Sequence, residues 1–108
     1  MTKHRSAQQP EKIVHERLRL DRDDDRGRYA LWQDETYIGF VGFTEDGDVV
    51  DLQHTIINEA YGRRGYARAL VTLVLEDLRA RGKKIVPECT YVQDYLRRYP
   101  EYNDLLAE

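Results

Sequence analysis

The residues able to do chemistry in this chain gather at three places. The first is Gly62-Arg63-Arg64-Gly65-Tyr66-Ala67, a glycine-bearing loop that runs into a helix, with Arg68 one step further on. The first amides of a helix have no internal partner, and the helix dipole is positive there. Glycine has no Cβ, so a ligand can come close to the backbone. The natural guest is an anion, above all a phosphate or pyrophosphate. Arg63, Arg64 and Arg68 add mobile positive charge beside it. The plainer alternative is that Gly62 and Gly65 only make a tight turn. The second place is Cys89, at a strand end just before a helix. A helix start favours the thiolate, so a nucleophile is one reading and a buried inert cysteine the other. The third is His54, whose imidazole suits proton transfer near neutral pH. It is either a base or a structural histidine bonded within a sheet.

These residues need elements to position them. Val49 to Ile57 is an apolar run that fits a strand, and it leads into the loop. After the loop, Ala67, Leu70, Val71, Val74, Leu75 and Leu78 recur at the spacing of one helical face. Gly82 is the expected stop, with Arg79 and Arg81 in the last turn. Lys84 to Val86 resumes as a strand closed by Pro87, completing a β-α-β unit. Upstream, Tyr29 to Gln33 and Thr36 to Phe43 read as strands. The turns Asp34-Glu35 and Asp46-Gly47 join them, and the following strand, into an antiparallel meander. Gly39 and Gly42 suggest a bulge or a close approach by another backbone. Ile13 to Leu20 is either a first strand or a lead-in segment, and the charge-dense Asp21 to Arg28 reads as a solvated turn. Thr90 to Tyr99 is a short second helix, with Thr90 and Gln93 fitting a capping box and Val92, Tyr95, Leu96 and Tyr99 on one face. Pro100 ends it, and Leu105 and Leu106 pack back as a last turn.

The fold class is therefore mixed α/β (α+β). A mostly antiparallel sheet carries one β-α-β crossover, one long helix and one short one. The 108 residues make one domain. Residues 1–12 are expected to be a flexible tail and 13–108 the domain. A net charge of -3 argues against a dedicated nucleic-acid binder, although Tyr91, Tyr95, Tyr99 and Tyr102 could stack on bases. Cys89 is the only cysteine, so no internal disulfide can form and a reducing compartment is allowed. With no apolar run of membrane length and no signal-peptide core, the expected location is cytoplasmic. No metal site is expected: Asp23-Asp24-Asp25 lacks the alternation of a calcium loop. An exposed sheet edge could support a weak homodimer, so monomer and dimer both stand.

Gly65-Tyr66-Ala67 resembles the Gly-x-Gly/Ala part of the acetyl-CoA loop of the GNAT acetyltransferase superfamily. A wider likeness runs from Arg28 to Tyr102. His54-Thr55, the loop, the long helix, Val86-Pro87-Glu88-Cys89 and Tyr99-Pro100-Glu101-Tyr102 follow one another as in the small single-domain branch sometimes called YidJ-type. Two positions depart from the pattern: Gly62 stands where the superfamily has Gln or Arg, and Ile56 where the branch has Glu. The resemblance implies acetyl-CoA as cosubstrate and direct acetyl transfer to a primary amine, on a protein, peptide or small molecule. It implies a wedge between Thr55 to Asn58 and Pro87 to Cys89 that takes the pantetheine arm. Thr55, Ile56 and Ile57 would line it through their backbone, and Gly62, Arg63, Arg64, Gly65, Tyr66, Ala67 and Arg68 would hold the pyrophosphate. His54 would be the base, with Glu88 a nearby carboxylate. Tyr95 would protonate the departing thiolate unless it is simply a core aromatic, and Tyr91 is a second candidate. Cys89 would matter only through an acetyl-cysteine intermediate. An acyl-CoA-binding module without catalysis, and a pure interaction domain, are the competing classes.

Overall fold

The computed structural model describes residues 12–108, so the expected tail lies outside the described residues except for Lys12. The strands are β1 (Leu18–Asp23), β2 (Arg28–Gln33), β3 (Thr36–Asp46), β4 (Val49–Ile57) and β5 (Lys84–Pro87). The helices are α1 (Tyr66–Ala80) and α2 (Thr90–Arg98), with 3₁₀ turns at Glu59–Tyr61 and Pro100–Leu105. The sheet order is β1-β2-β3-β4-β5, antiparallel throughout except for the parallel pair β4 and β5.

Alternation explains the strands. In β2, Tyr29 and Leu31 are buried while Arg28, Ala30 and Trp32 point the other way; in β4, Val50 and Leu52 are buried. Leu70, Val71, Val74, Leu75 and Leu78 of α1 close over that face, and each such side chain taken from water contributes about 1.5–3 kcal/mol. The α1 terminus is a full Schellman arrangement. Gly82 takes a left-handed φ of 71°, its amide bonds the Arg79 carbonyl, and the Lys83 amide bonds that of Leu78. Helix α2 packs on the same face, joined to α1 by a hydrogen bond between the Tyr95 and Thr72 hydroxyls.

Three sequence expectations need correction. Asp21 to Asp23 are not turn but the end of β1, paired with Ala30 to Arg28; only residues 24–27 turn. Arg22 explains why so charged a stretch is a strand. Its guanidinium lies over Phe43, donates to the Tyr29 hydroxyl and pairs with Asp24 and Glu45. Strand β3 also runs past Phe43 to Asp46 through exposed polar residues that carry no hydrophobic signal. The capping box does not form: Cys89 is the cap of α2, Thr90 is its first residue, and the Gln93 side chain bonds the Pro87 carbonyl instead.

Two irregularities in the meander set which side chains of β3 and β4 face the core. Strict alternation would put Ile38 on the face opposite Val41, but the register between β2 and β3 skips it, and it drops into the core beside Val41. Between β3 and β4 it skips Gln53. Gly39 and Gly42 are small because β4 leans on them. A Cβ on Gly39 would collide with the Ile56 carbonyl and lie 2.9 Å from the Ile57 Cα, and one on Gly42 would lie 2.8 Å from the His54 ring.

Candidate active site

Strand β4 pairs with β3 as far as Ile57, but with β5 only as far as Leu52, opposite Pro87. Both the Glu88 and Cys89 amides turn back to the Leu52 carbonyl, which closes the pairing there. From Gln53 onward one edge of β4 has no neighbouring strand among the described residues. The Ile56 carbonyl points at Gly39 on β3, and the Asn58 amide bonds the Ile38 carbonyl. Alternation then turns the backbone groups of Thr55 and Ile57 to the open edge. Ile56 therefore cannot offer its backbone to the wedge as expected; Thr55 and Ile57 can.

The two faces of β4 carry different chemistry. Thr55 is paired with buried Val41 and faces the helices, where its hydroxyl lies 3.2 Å from the Cys89 sulfur. His54 is paired with Gly42 and faces the open side, edge-on to Phe40 at 5.7 Å between ring centroids. His54 and Cys89 thus stand on opposite sides of one strand, and no hydrogen bond joins them among the described residues. Cys89 is 6% exposed, with Thr55 as its polar neighbour. On the open side Glu88 sits by Asp51, whose carboxylate pushes the Glu88 carboxyl up from its usual range.

The glycine loop follows a 3₁₀ turn in which the Asn58 side chain caps the Ala60 amide. Gly62 is extended; Arg63 and Gly65 take left-handed φ values of 61° and 85°. The first backbone bond of α1 runs from the Ala69 amide to the Gly65 carbonyl, so the amides of Tyr66, Ala67 and Arg68 lie outside the helical ladder. From that first turn a cavity of about 330 Å³ opens between the helices, lined by Arg68, Tyr91, Asp94, Tyr95, Arg98 and Tyr99. The Arg68 Nε and the Tyr99 hydroxyl are buried with no hydrogen-bond partner among the described residues. Buried donors without partners are uncommon and call for a ligand or water. Burial pushes the Tyr91 phenol up from its ordinary value, while Arg68 and Arg98 pull it the other way. A larger, shallower depression by the β1–β2 turn is lined by Arg22, Asp24, Arg26 and Glu45, whose charges pair among themselves or with neighbours.

A family model described as GCN5-related N-acetyl-transferase matches residues 28–105. The chain belongs to the GCN5-related N-acetyltransferase family. Its fold is similar to the NMR structure of a GCN5-like protein from Staphylococcus aureus, with a TM-score of 0.63 and 19% identity, covering 86% of this chain and 91% of that one. No curated protein matches it. Among the described residues no helix is long and apolar enough to cross a membrane.

In this N-acetyltransferase the tyrosines divide by environment. Tyr95 is 3% exposed; its hydroxyl lies 2.5 Å from that of Thr72, which donates its own proton to the Arg68 carbonyl. Tyr95 is therefore the donor in that pair, and its proton is held in the core. Burial pushes its phenol up to about 12. The folded phenol therefore keeps its proton above the ordinary value of 10.0. The stabilisation is complete below pH 10 and is lost as pH rises towards 12, by about 1.4 kcal/mol per pH unit. Unfolding midpoints measured from pH 9 to 12 should fall, and Tyr95→Phe should fall less steeply over that window.

Sequence reasoning missed Asp94 and Arg98. Their signal was present, since Tyr91, Asp94, Tyr95 and Arg98 recur at i, i+3, i+4 and i+7. That row is polar as well as aromatic, so it marks a cavity rather than a core.

Proposed function

We propose that the chain is an acetyl-CoA-dependent N-acetyltransferase of the small single-domain YidJ-type branch, acting on a primary amine by direct transfer. The observation that carries this reading is the parting of β4 from β5 after Leu52, beside a helix start with unpaired amides. The residues fit the cosubstrate. The amides of the first turn of α1 lie outside the helical ladder, and the buried Arg68 Nε and Tyr99 hydroxyl in the adjoining cavity lack partners among the described residues.

Acetyl-CoA supplies an activated acetyl thioester when bound. The amides of Tyr66, Ala67 and Arg68, with the guanidiniums of Arg63, Arg64 and Arg68, hold the pyrophosphate. The Thr55 and Ile57 backbone on the open edge binds the pantetheine amides in place of a strand. His54, on the opposite face, takes the proton of the acceptor amine. The Tyr91 phenol, which faces the cavity, is better placed than Tyr95 to give a proton to the leaving sulfur. Cys89 is buried against Thr55 with no base beside it, which favours direct transfer over an acetyl-cysteine. The open sheet face around His54 suits an exposed lysine or peptide amine as well as a small one.

A second reading, an acyl-CoA-binding module, rests on Ile56: it is 52% exposed on the His54 face, where the branch carries a carboxylate. Calorimetric titration with acetyl-CoA, followed by turnover assays on a panel of amines, decides between them. Micromolar binding with turnover is the expected result. Binding without turnover on any amine points to the module, and no binding overturns both.

A further inference from the structure

The chain ahead of β1 crosses the face of the glycine loop. Val14 Cγ2 lies 3.0 Å from the point where a Gly65 Cβ would stand, so the room left by that glycine is taken up by the chain itself. The His15 Nε2 lies 2.6 Å from the Arg64 carbonyl and so carries the proton of that bond. The same ring stacks on Tyr66, the first residue of α1, at 3.8 Å and 12°. Three residues earlier, Lys12 reaches the opposite side of the cavity. It pairs with Glu101 and lies over the rings of Tyr99 and Tyr102, at 5.1 and 4.9 Å from their centroids. Four residues thus bridge the loop and the far wall of the cavity.

We propose that residues 12–15 are an autoinhibitory strap that covers the anion site of the glycine loop and must lift before a pyrophosphate-bearing cosubstrate can bind. The inference rests on the acetyl-CoA reading of the site. The strap is built to be displaced. Ile13 and Val14 are 37% and 41% exposed, so little apolar surface holds it down. Its ion pair to Glu101 is at the surface, where such pairs contribute little. Val14 and the His15 ring occupy space beside Gly65 and Tyr66 that an incoming phosphate would need.

The test compares the full chain with Lys12→Ala/His15→Ala by calorimetric titration with acetyl-CoA. Apparent affinity falls by the fraction of molecules whose site is open, so the double variant should bind about tenfold more tightly. Amide exchange on the unaltered protein is the second measurement: residues 13–16 should exchange faster when acetyl-CoA saturates the site. Equal or weaker binding by the variant, or slower exchange on saturation, overturns the strap while leaving the acetyltransferase reading in place. If neither protein binds acetyl-CoA, the acetyltransferase reading fails and the strap falls with it.

Discussion

Replacing His54 by glutamine should lower turnover by about 10²–10⁴-fold, the usual contribution of a positioned acid–base group, while leaving the affinity for acetyl-CoA unchanged. His54 is exposed and stands on the face of β4 away from the helices, the loop and the cavity. Its ring makes an edge contact with Phe40 and fills the space over Gly42. A substitution there costs the fold little, since surface changes are usually within about 0.5 kcal/mol. The amine must lose a proton before it can attack, and the His54 ring stands on that face to accept it. Steady-state kinetics on the best amine, with acetyl-CoA affinity measured alongside, provide the check. A kcat within threefold of the parent would remove His54 from the reaction and pass the role to Glu88, whose carboxyl is already raised by Asp51.

Gly65→Glu should abolish measurable binding of acetyl-CoA. Two effects add. Gly65 holds a left-handed φ of 85°, which costs an ordinary residue about 1–2 kcal/mol. The new carboxylate would also face the phosphates. Like charges about 4 Å apart repel by about 4 kcal/mol at an effective dielectric of 20, so the affinity should fall at least about a hundredfold. Gly65→Ala carries the same backbone strain without the charge, and its Cβ meets the side-chain ends of Val14, Arg68 and His15. Calorimetry on the pair separates the effects. If alanine and glutamate weaken binding equally, the loop is only a tight turn and the anion lies elsewhere.

The parts of this molecule legible in the sequence were those where one physical signal dominated. The helical face from Leu70 to Leu78, the limits of β4 and the stop at Gly82 each follow from periodicity or backbone conformation alone, and all three stand in the structure. The glycines of β3 signalled a bulge or a close approach by another backbone; the Ile56 carbonyl is that approach at Gly39, whereas at Gly42 the neighbour is the His54 ring. The failures came where tertiary contacts overrode a local signal. Asp21 to Asp23 look like a solvated turn until Arg22 finds Tyr29, Glu45 and the Phe43 ring far along the chain. Strict alternation sets Ile38 opposite Val41, and only a skipped pair carries it into the core. The arrangement around the loop was not legible. Nothing local separates a tyrosine whose proton is tied to Thr72 from one that opens on a cavity. Nothing local announces that residues 12–15 fold over a loop about fifty positions later.

The parting of β4 and β5 also divides the molecule by the order in which it can assemble. Strands β1 to β4 are neighbours in sequence and joined by tight turns, so their pairings close short segments of chain at small entropic cost. The β4–β5 pairing joins Val49 to Lys84 and can form only after the whole crossover has been gathered in. Such a pairing closes a long loop and costs more chain entropy than the hairpins do. Whatever binds between those strands therefore bridges the locally closed meander and the distant segment of β5 and α2. A ligand there acts as a clasp: it ties the two segments together, and resistance to unfolding should rise with ligand concentration.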